Sequence, residues 1–217
     1  MSHLQKWVVM VITGIDLASV HSAICTLEVP TPKSWHDDKW DAGIWSILEL
    51  DWIDVKEDST SARIQAAYAF LSVVQEYMPE LVVIEDYTHQ KKSFDSYNVG
   101  ELGGMLRLLL WQNKYPQLYI SPMRLKMFLN HHGKTPIAKE DVAFSVQAYF
   151  NYKSDASQKK KREDATDAFA LAQLGRIFQS HQVYAGNDSA MLASLNEKQQ
   201  KVLASIWDDR ERLVLKR

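Results

Sequence analysis

The chain has one cysteine, Cys25, so no disulfide framework holds it, and its thiol content fits a reducing compartment. It also lacks a long apolar run. The opening MSHLQKWVVMVITGID contains only about nine apolar residues before an acid, short of a membrane span, and carries no cleavage-site pattern. These absences lead to the expectation of a soluble cytoplasmic protein with no membrane partner. The net charge of -2 gives no bulk attraction to nucleic acid, so any such role must rest on local patches. No internal repeat is visible, and His131 and His132 have no cysteine or carboxylate at metal-ligand spacing.

What is present is a chain of 217 residues, 46% hydrophobic, long enough for one sizeable core. Charge is segregated along it. Residues 37 to 58 hold eight acids against Lys39 and Lys56, whereas residues 89 to 139 hold eight cations against Asp95 and Glu101. The β-branched run Val8 to Ile15 predicts a strand buried on both faces, and Leu81 to Ile84 predicts a second. Strands over 23 to 29 and 44 to 51 complete an antiparallel meander, with a loop from Pro30 to Asp41 between them. Helices are expected from Ser59 or Thr60 to Met78, from 97 to 113, from 123 to 130 and from 139 to 150. A short strand is expected at 118 to 120. A polar stretch, Lys153 to Arg162, then leads into a helix with an apolar stripe at Ala168, Leu171, Gly175 and Phe178. Residues 182 to 194 read as a linker and 195 to 215 as a last amphipathic helix. The chain thus divides into a main domain, 1 to 181, and an appendage, 182 to 217.

Carboxylates sit where this core pattern disfavours them. Asp16 ends the first buried strand, Glu85 ends the strand Leu81 to Ile84, and Asp164 and Asp167 lie three apart on one helix face. If the strands are neighbours and the helix crosses them, four like charges converge, which requires a cation or raised pKa values. Oxygen-only ligands favour Mg²⁺ or Mn²⁺, and a pair of such ions about 4 Å apart clamps both attacking and leaving oxygens in phosphodiester cleavage.

The motifs G-I-D at 14 to 16, V-I-E at 83 to 85, N-V-G-E-L-G-G at 98 to 104, I-A-K-E-D-V at 137 to 142 and E-D-A-T-D-A-F-A-L-A at 163 to 172 occur in the order of a known family. In these the chain resembles the RuvC-type Holliday-junction resolvases of the ribonuclease H-like superfamily. The resemblance covers about residues 8 to 180 and implies an α/β fold: a ribonuclease H-like mixed sheet, three-strand antiparallel meander plus parallel strands, flanked by helices. It implies that Asp16, Glu85, Asp164 and Asp167 hold two Mg²⁺ or Mn²⁺ ions. It further implies a homodimer through the helix around Gly100, Gly103 and Gly104, and paired symmetric nicks in four-way DNA junctions that leave 5′-phosphate and 3′-hydroxyl ends. Leu17 and Ala18 stand where the family usually has proline and glycine, and Asp86 where the bacterial enzymes commonly have an amide. By strand alternation Asp86 is expected to face away from Glu85. With the tryptophan-rich segment 35 to 52, these departures suggest a divergent relative of the kind a phage or mobile element carries.

On that reading Lys91, Lys92, Lys126, Lys134 and Lys139 are the expected phosphate contacts, and Phe94, with Tyr87 and Tyr97, can stack on unpaired bases. The run Lys159 to Arg162 adjoins the two aspartates and reads equally as a DNA contact or a solvated face. Alternatives stay open: a related nuclease cutting flaps, forks or RNA:DNA hybrids, or a non-catalytic junction-binding protein. An actin-like or sugar kinase shares the fold and the opening G-I-D, but the second phosphate loop and adenosine motif it needs are missing.

Overall fold

The computed structural model describes residues 8–31, 45–86, 94–130, 139–183, 195–209 and 214–215. Its centre is a six-stranded mixed sheet. Strand β1 (Val8–Asp16) pairs antiparallel with β2 (His21–Thr31), which pairs antiparallel with β3 (Ser46–Asp54). On its other side β1 runs parallel to β4 (Leu81–Glu85), and β4 parallel to β5 (Gln117–Ile120). The expected meander plus parallel strands is the observed arrangement. Strand β2 continues through Pro30, which the sequence suggested was loop. Its pairing with β3 ends at Glu28, so Pro30 takes nothing from a ladder on that side.

Alternation along the strands separates two cores. Met10, Ile12, Leu81 and Val83 face one cluster, while Ile15, Val82 and Ile84 face the other. The second cluster is covered by α1 (Thr60–Tyr77) and α2 (Phe94–Gln112). Ser59 caps α1, its hydroxyl accepting from the Ala62 amide, and Met78 in the left-handed region ends it before Pro79. Buried Arg63 ties the two helices by donating to Asp58 (2.8 Å) and to Glu101.

The first cluster is covered by α3 (Pro122–Leu129), α4 (Lys139–Phe150), α5 (Lys159–Val183) and α6 (Glu197–Asp208). Helix α5 begins earlier than the sequence suggested, taking in Lys159 to Arg162. The Arg162 guanidinium donates to the carbonyls of Ala156 (2.7 Å) and Ser157 (2.8 Å), which fixes the chain just before the helix. From Asp164 to Ser180 only Asp167 and Gln179 are not fully buried, so α5 is packed all round rather than along one stripe. Trp45, Phe150 and Tyr152 gather on Phe169, with Tyr152 stacked at 4.0 Å. The last helix is shorter than expected. It ends at Asp208, and Val214–Leu215 instead forms β6, antiparallel to β5. No described helix is long and apolar enough to cross a membrane.

Candidate active site

Parallel register sets the first half of the site. Ile15 of β1 lies beside Ile84 of β4, so the next residues, Asp16 and Glu85, end neighbouring strands side by side. Alternation turns both toward the face that carries α5. Asp164 and Asp167 lie in the second and third turns of α5, three residues apart, and all four carboxylates line one cleft of about 670 Å³. Asp16 is 6% exposed and Asp164 5%, while Glu85 and Asp167 are half-buried. Asp86 does not line the cleft; it accepts from Arg107 of α2 at 2.9 Å.

Local packing explains how close the elements come. At Gly14, two residues before Asp16, a Cβ would sit 2.1 Å from the Ala168 carbonyl oxygen and 2.5 Å from the Ala172 nitrogen, so β1 and α5 touch backbone to backbone. At Gly175 a Cβ would sit 2.3 Å from Val83 Cγ2, which gives the same intimacy with β4. The turn after Asp16 lacks the usual proline and glycine, yet it is held. Buried Ser22 Oγ accepts from the Ala18 amide at 3.0 Å and donates to the Ala18 carbonyl at 3.2 Å. The N-terminal turn of α5 is held from β3, where Trp52 Nε1 donates to the Lys161 carbonyl (3.2 Å) and the Lys161 ammonium lies 5.5 Å over the indole.

A scan against family models matches residues 40–174, well over half the chain, to "Crossover junction endodeoxyribonuclease RuvC". The chain belongs to the RuvC family. The RuvC match contains Glu85, Asp164 and Asp167 but begins after Asp16, which takes its place from the β1–β4 pairing. Among curated relatives, the RuvC of Fusobacterium nucleatum is 25% identical over 134 residues, 61% of this chain and 67% of that one. The RuvC of Carboxydothermus hydrogenoformans is 29% identical over 97 residues, 45% of this chain and 58% of that one. Among solved structures, Thermus thermophilus RuvC in complex with a Holliday junction substrate superposes with a TM-score of 0.59 at 22% identity, over 81% of this chain and 94% of that one. The yeast mitochondrial Holliday junction resolvase gives 0.53 at 13%, over 93% and 82%. Those two likenesses speak to the ribonuclease H-like fold, and the low identities to a divergent member.

For a metal of the kind RuvC resemblance implies, the donor chemistry fits: four carboxylates, oxygen ligands only, two of them deeply buried in one cleft. Among the described residues no group of three or more His, Cys, Asp or Glu side chains is arranged to hold an ion. The fold gathers the four acids into one cleft.

Of the expected DNA contacts, Lys126 lines this cleft. Lys91, Lys92 and Lys134 lie outside the described residues, as do the side chains of Phe94 and Lys139. The basic run divides: Lys159, Lys160 and Arg162 line the cleft, whereas Lys161 lies over Trp52. Lys159 is engaged by Glu140 (3.5 Å) and Glu163 (3.7 Å). Lys126, Lys153 and Lys160 have no ion-pair partner among the described residues. Lys153 was missed in the sequence because a lone lysine after N-Y carries no pattern. Phe144 and Gln147, also in the lining, were missed too, although Phe144 falls off the Val142, Val146, Phe150 stripe of α4 and could have been noticed on that ground. Tyr152 lines the cleft as well; burial pushes its hydroxyl up to about 12, so it stays protonated and offers no base.

Proposed function

We propose that this RuvC-family protein is a metal-dependent endonuclease that resolves four-way DNA junctions by paired, symmetric nicks. The observation that carries the reading is the meeting of Asp16, Glu85, Asp164 and Asp167 in one cleft of a chain that the family model matches. Asp16, Glu85, Asp164 and Asp167 would hold one or two Mg²⁺ or Mn²⁺ ions, which when bound supply activation of water and neutralisation of developing phosphate charge. The chain's own contribution is position. Backbone contact at Gly14 fixes the α5 aspartates against the strand acids, and the Lys126, Lys153 and Lys160 ammoniums draw the phosphate strand onto them. Water attacks the scissile phosphorus in line, the bond to the 3′ oxygen breaks, and 5′-phosphate and 3′-hydroxyl ends remain.

The test compares a synthetic four-way junction, a flap, a fork, an RNA:DNA hybrid and linear duplex, with and without Mg²⁺ or Mn²⁺. Paired nicks confined to the junction support the resolvase; cutting of flaps, forks or hybrids instead selects the related nuclease, and binding without cutting selects a junction-binding protein. Within that assay, Lys126→Glu is expected to weaken junction binding and to reduce the slope of log affinity against log salt by about one. An unchanged slope would remove Lys126 from the DNA path.

A second copy is the expected partner of α2. Tyr97, Gly104, Leu108 and Trp111 fall on one helix face; the three apolar side chains are 66%, 53% and 45% exposed, and a Cβ on Gly104 would meet nothing within 4 Å. Gly103 is buried and Gly100 half-buried, so Gly104 is the glycine of the three most open to a second copy's backbone. Gly104→Leu should leave the subunit folded and lower the dimer fraction in sedimentation equilibrium. A monomeric wild-type protein, or a variant that dimerises as well, would exclude this face.

A further inference from the structure

The cleft's α4 wall carries a feature that metal chemistry and phosphate attraction leave unused. Glu140, Ala143, Phe144 and Gln147 stand at i, i+3, i+4 and i+7, so one face of the helix is turned to the acids. Phe144 is 52% exposed there. It does not serve the core, which α4 reaches through the adjoining stripe of Val142, Val146 and Phe150, at 4%, 0% and 8% exposure, with Val142 also touching the cleft. Ala143 beside it adds only a methyl, and Gln147, one turn on, presents an exposed amide with both a donor and an acceptor. The same cleft holds three lysines with no ion-pair partner among the described residues. A ligand suited to this wall is anionic and also offers a flat aromatic face.

We propose that Phe144 and Gln147 form a base-reading element: the ring stacks on an unpaired nucleobase beside the scissile phosphate, and the amide hydrogen-bonds that base's edge. This deepens the nuclease reading and rests on it for the position of the cut. In continuous duplex each base is covered on both faces by its neighbours, so a phenyl ring finds no face to stack on. At a branch point bases can be splayed out, and stacking then becomes available. Phe144 thereby favours branched over linear DNA, and Gln147 adds a preference for the base at the cut, as amides do when they pair with a base edge.

The experiment places 2-aminopurine at each position flanking the branch point and records its fluorescence with wild-type protein, Phe144→Ala and Phe144→Trp in EDTA, where no cutting competes. Wild type and Phe144→Trp should quench the probe at one position, and Phe144→Ala should not. In Mg²⁺ or Mn²⁺, Phe144→Ala should nick the junction on the order of 10-fold more slowly, the scale of one lost base–aromatic stack, with Phe144→Trp close to wild type. Gln147→Ala should retain nicking but flatten the base preference across junctions that carry each of the four bases at the cut. Equal quenching and equal nicking by wild type and Phe144→Ala would overturn the proposal while leaving the nuclease reading intact. Quenching by a wild-type protein that nicks nothing would do the reverse. A change in oligomeric state on Phe144→Ala, with quenching unchanged, would make this wall a protein contact and also overturn it.

Discussion

Asp16→Asn should abolish junction nicking, by at least about a thousandfold or about 4 kcal/mol of transition-state stabilisation, while the protein still binds the junction. Asp16 ends β1 next to Glu85 and faces Asp164 and Asp167 across one cleft, almost wholly removed from water. An amide is the same size and keeps an oxygen, so strand pairing and the Ser22 clamp on the following turn have no reason to move. What disappears is a negative charge. That weakens any hold on a divalent cation, which needs hard anionic oxygens, and it relieves repulsion among the four acids. Stability should therefore be unchanged or slightly raised in thermal unfolding. Binding, measured by anisotropy in EDTA, should be equal or tighter, since DNA phosphates meet one fewer carboxylate. A folded Asp16→Asn protein that no longer binds junctions would show that Asp16 serves DNA recognition rather than cutting, and the scheme would fail.

The legible parts of this fold were those in which one local signal had one physical cause. Met10 to Ile15 and Leu81 to Ile84 are apolar on both faces because helices cover both sides of the sheet there, and short β-branched runs bounded by turn residues read as central strands. The two acids that end these runs were legible for the same reason, as charges at the margin of a buried strand. Helix α5 was only half legible. Its stripe toward the sheet showed as spacing, but burial around Phe169 comes from Trp45, Phe150 and Tyr152, which no local pattern links to it. The start of α5 was misplaced because four cations in a first turn oppose the helix dipole. Arg162 bonded to two preceding carbonyls, and Lys159 paired with Glu163 one turn on, offset that. The C-terminal stretch was read as one helix because a short apolar pair such as Val214–Leu215 has no period of its own. Its strand exists only because β5 offers an edge.

The backbone-to-backbone approach at Gly14 gives the other large expectation: Gly14→Ala should destabilise the protein at or beyond the upper end of the roughly 1–3 kcal/mol that overpacking a core costs. An added methyl usually finds room because a neighbouring side chain rotates. At Gly14 the added Cβ would sit 2.1 Å from the carbonyl oxygen of Ala168 and 2.5 Å from the amide nitrogen of Ala172, and backbone in the middle of a helix cannot rotate away. Helix α5 would have to lift from β1, opening voids where Ile12 and Val83 pack onto it at Gly175. Urea unfolding with an unchanged m-value would read the loss. Because Asp164 and Asp167 ride on α5 and Asp16 on β1, the same lift separates the two halves of the cleft. Whatever fraction of Gly14→Ala remains folded should nick junctions far more slowly than it binds them, since lysines on flexible stems tolerate a shift that converging carboxylates do not. A Gly14→Ala protein as stable and as active as wild type would mean that β1 and α5 do not meet at this point, and the convergence of the four acids would lose its structural basis.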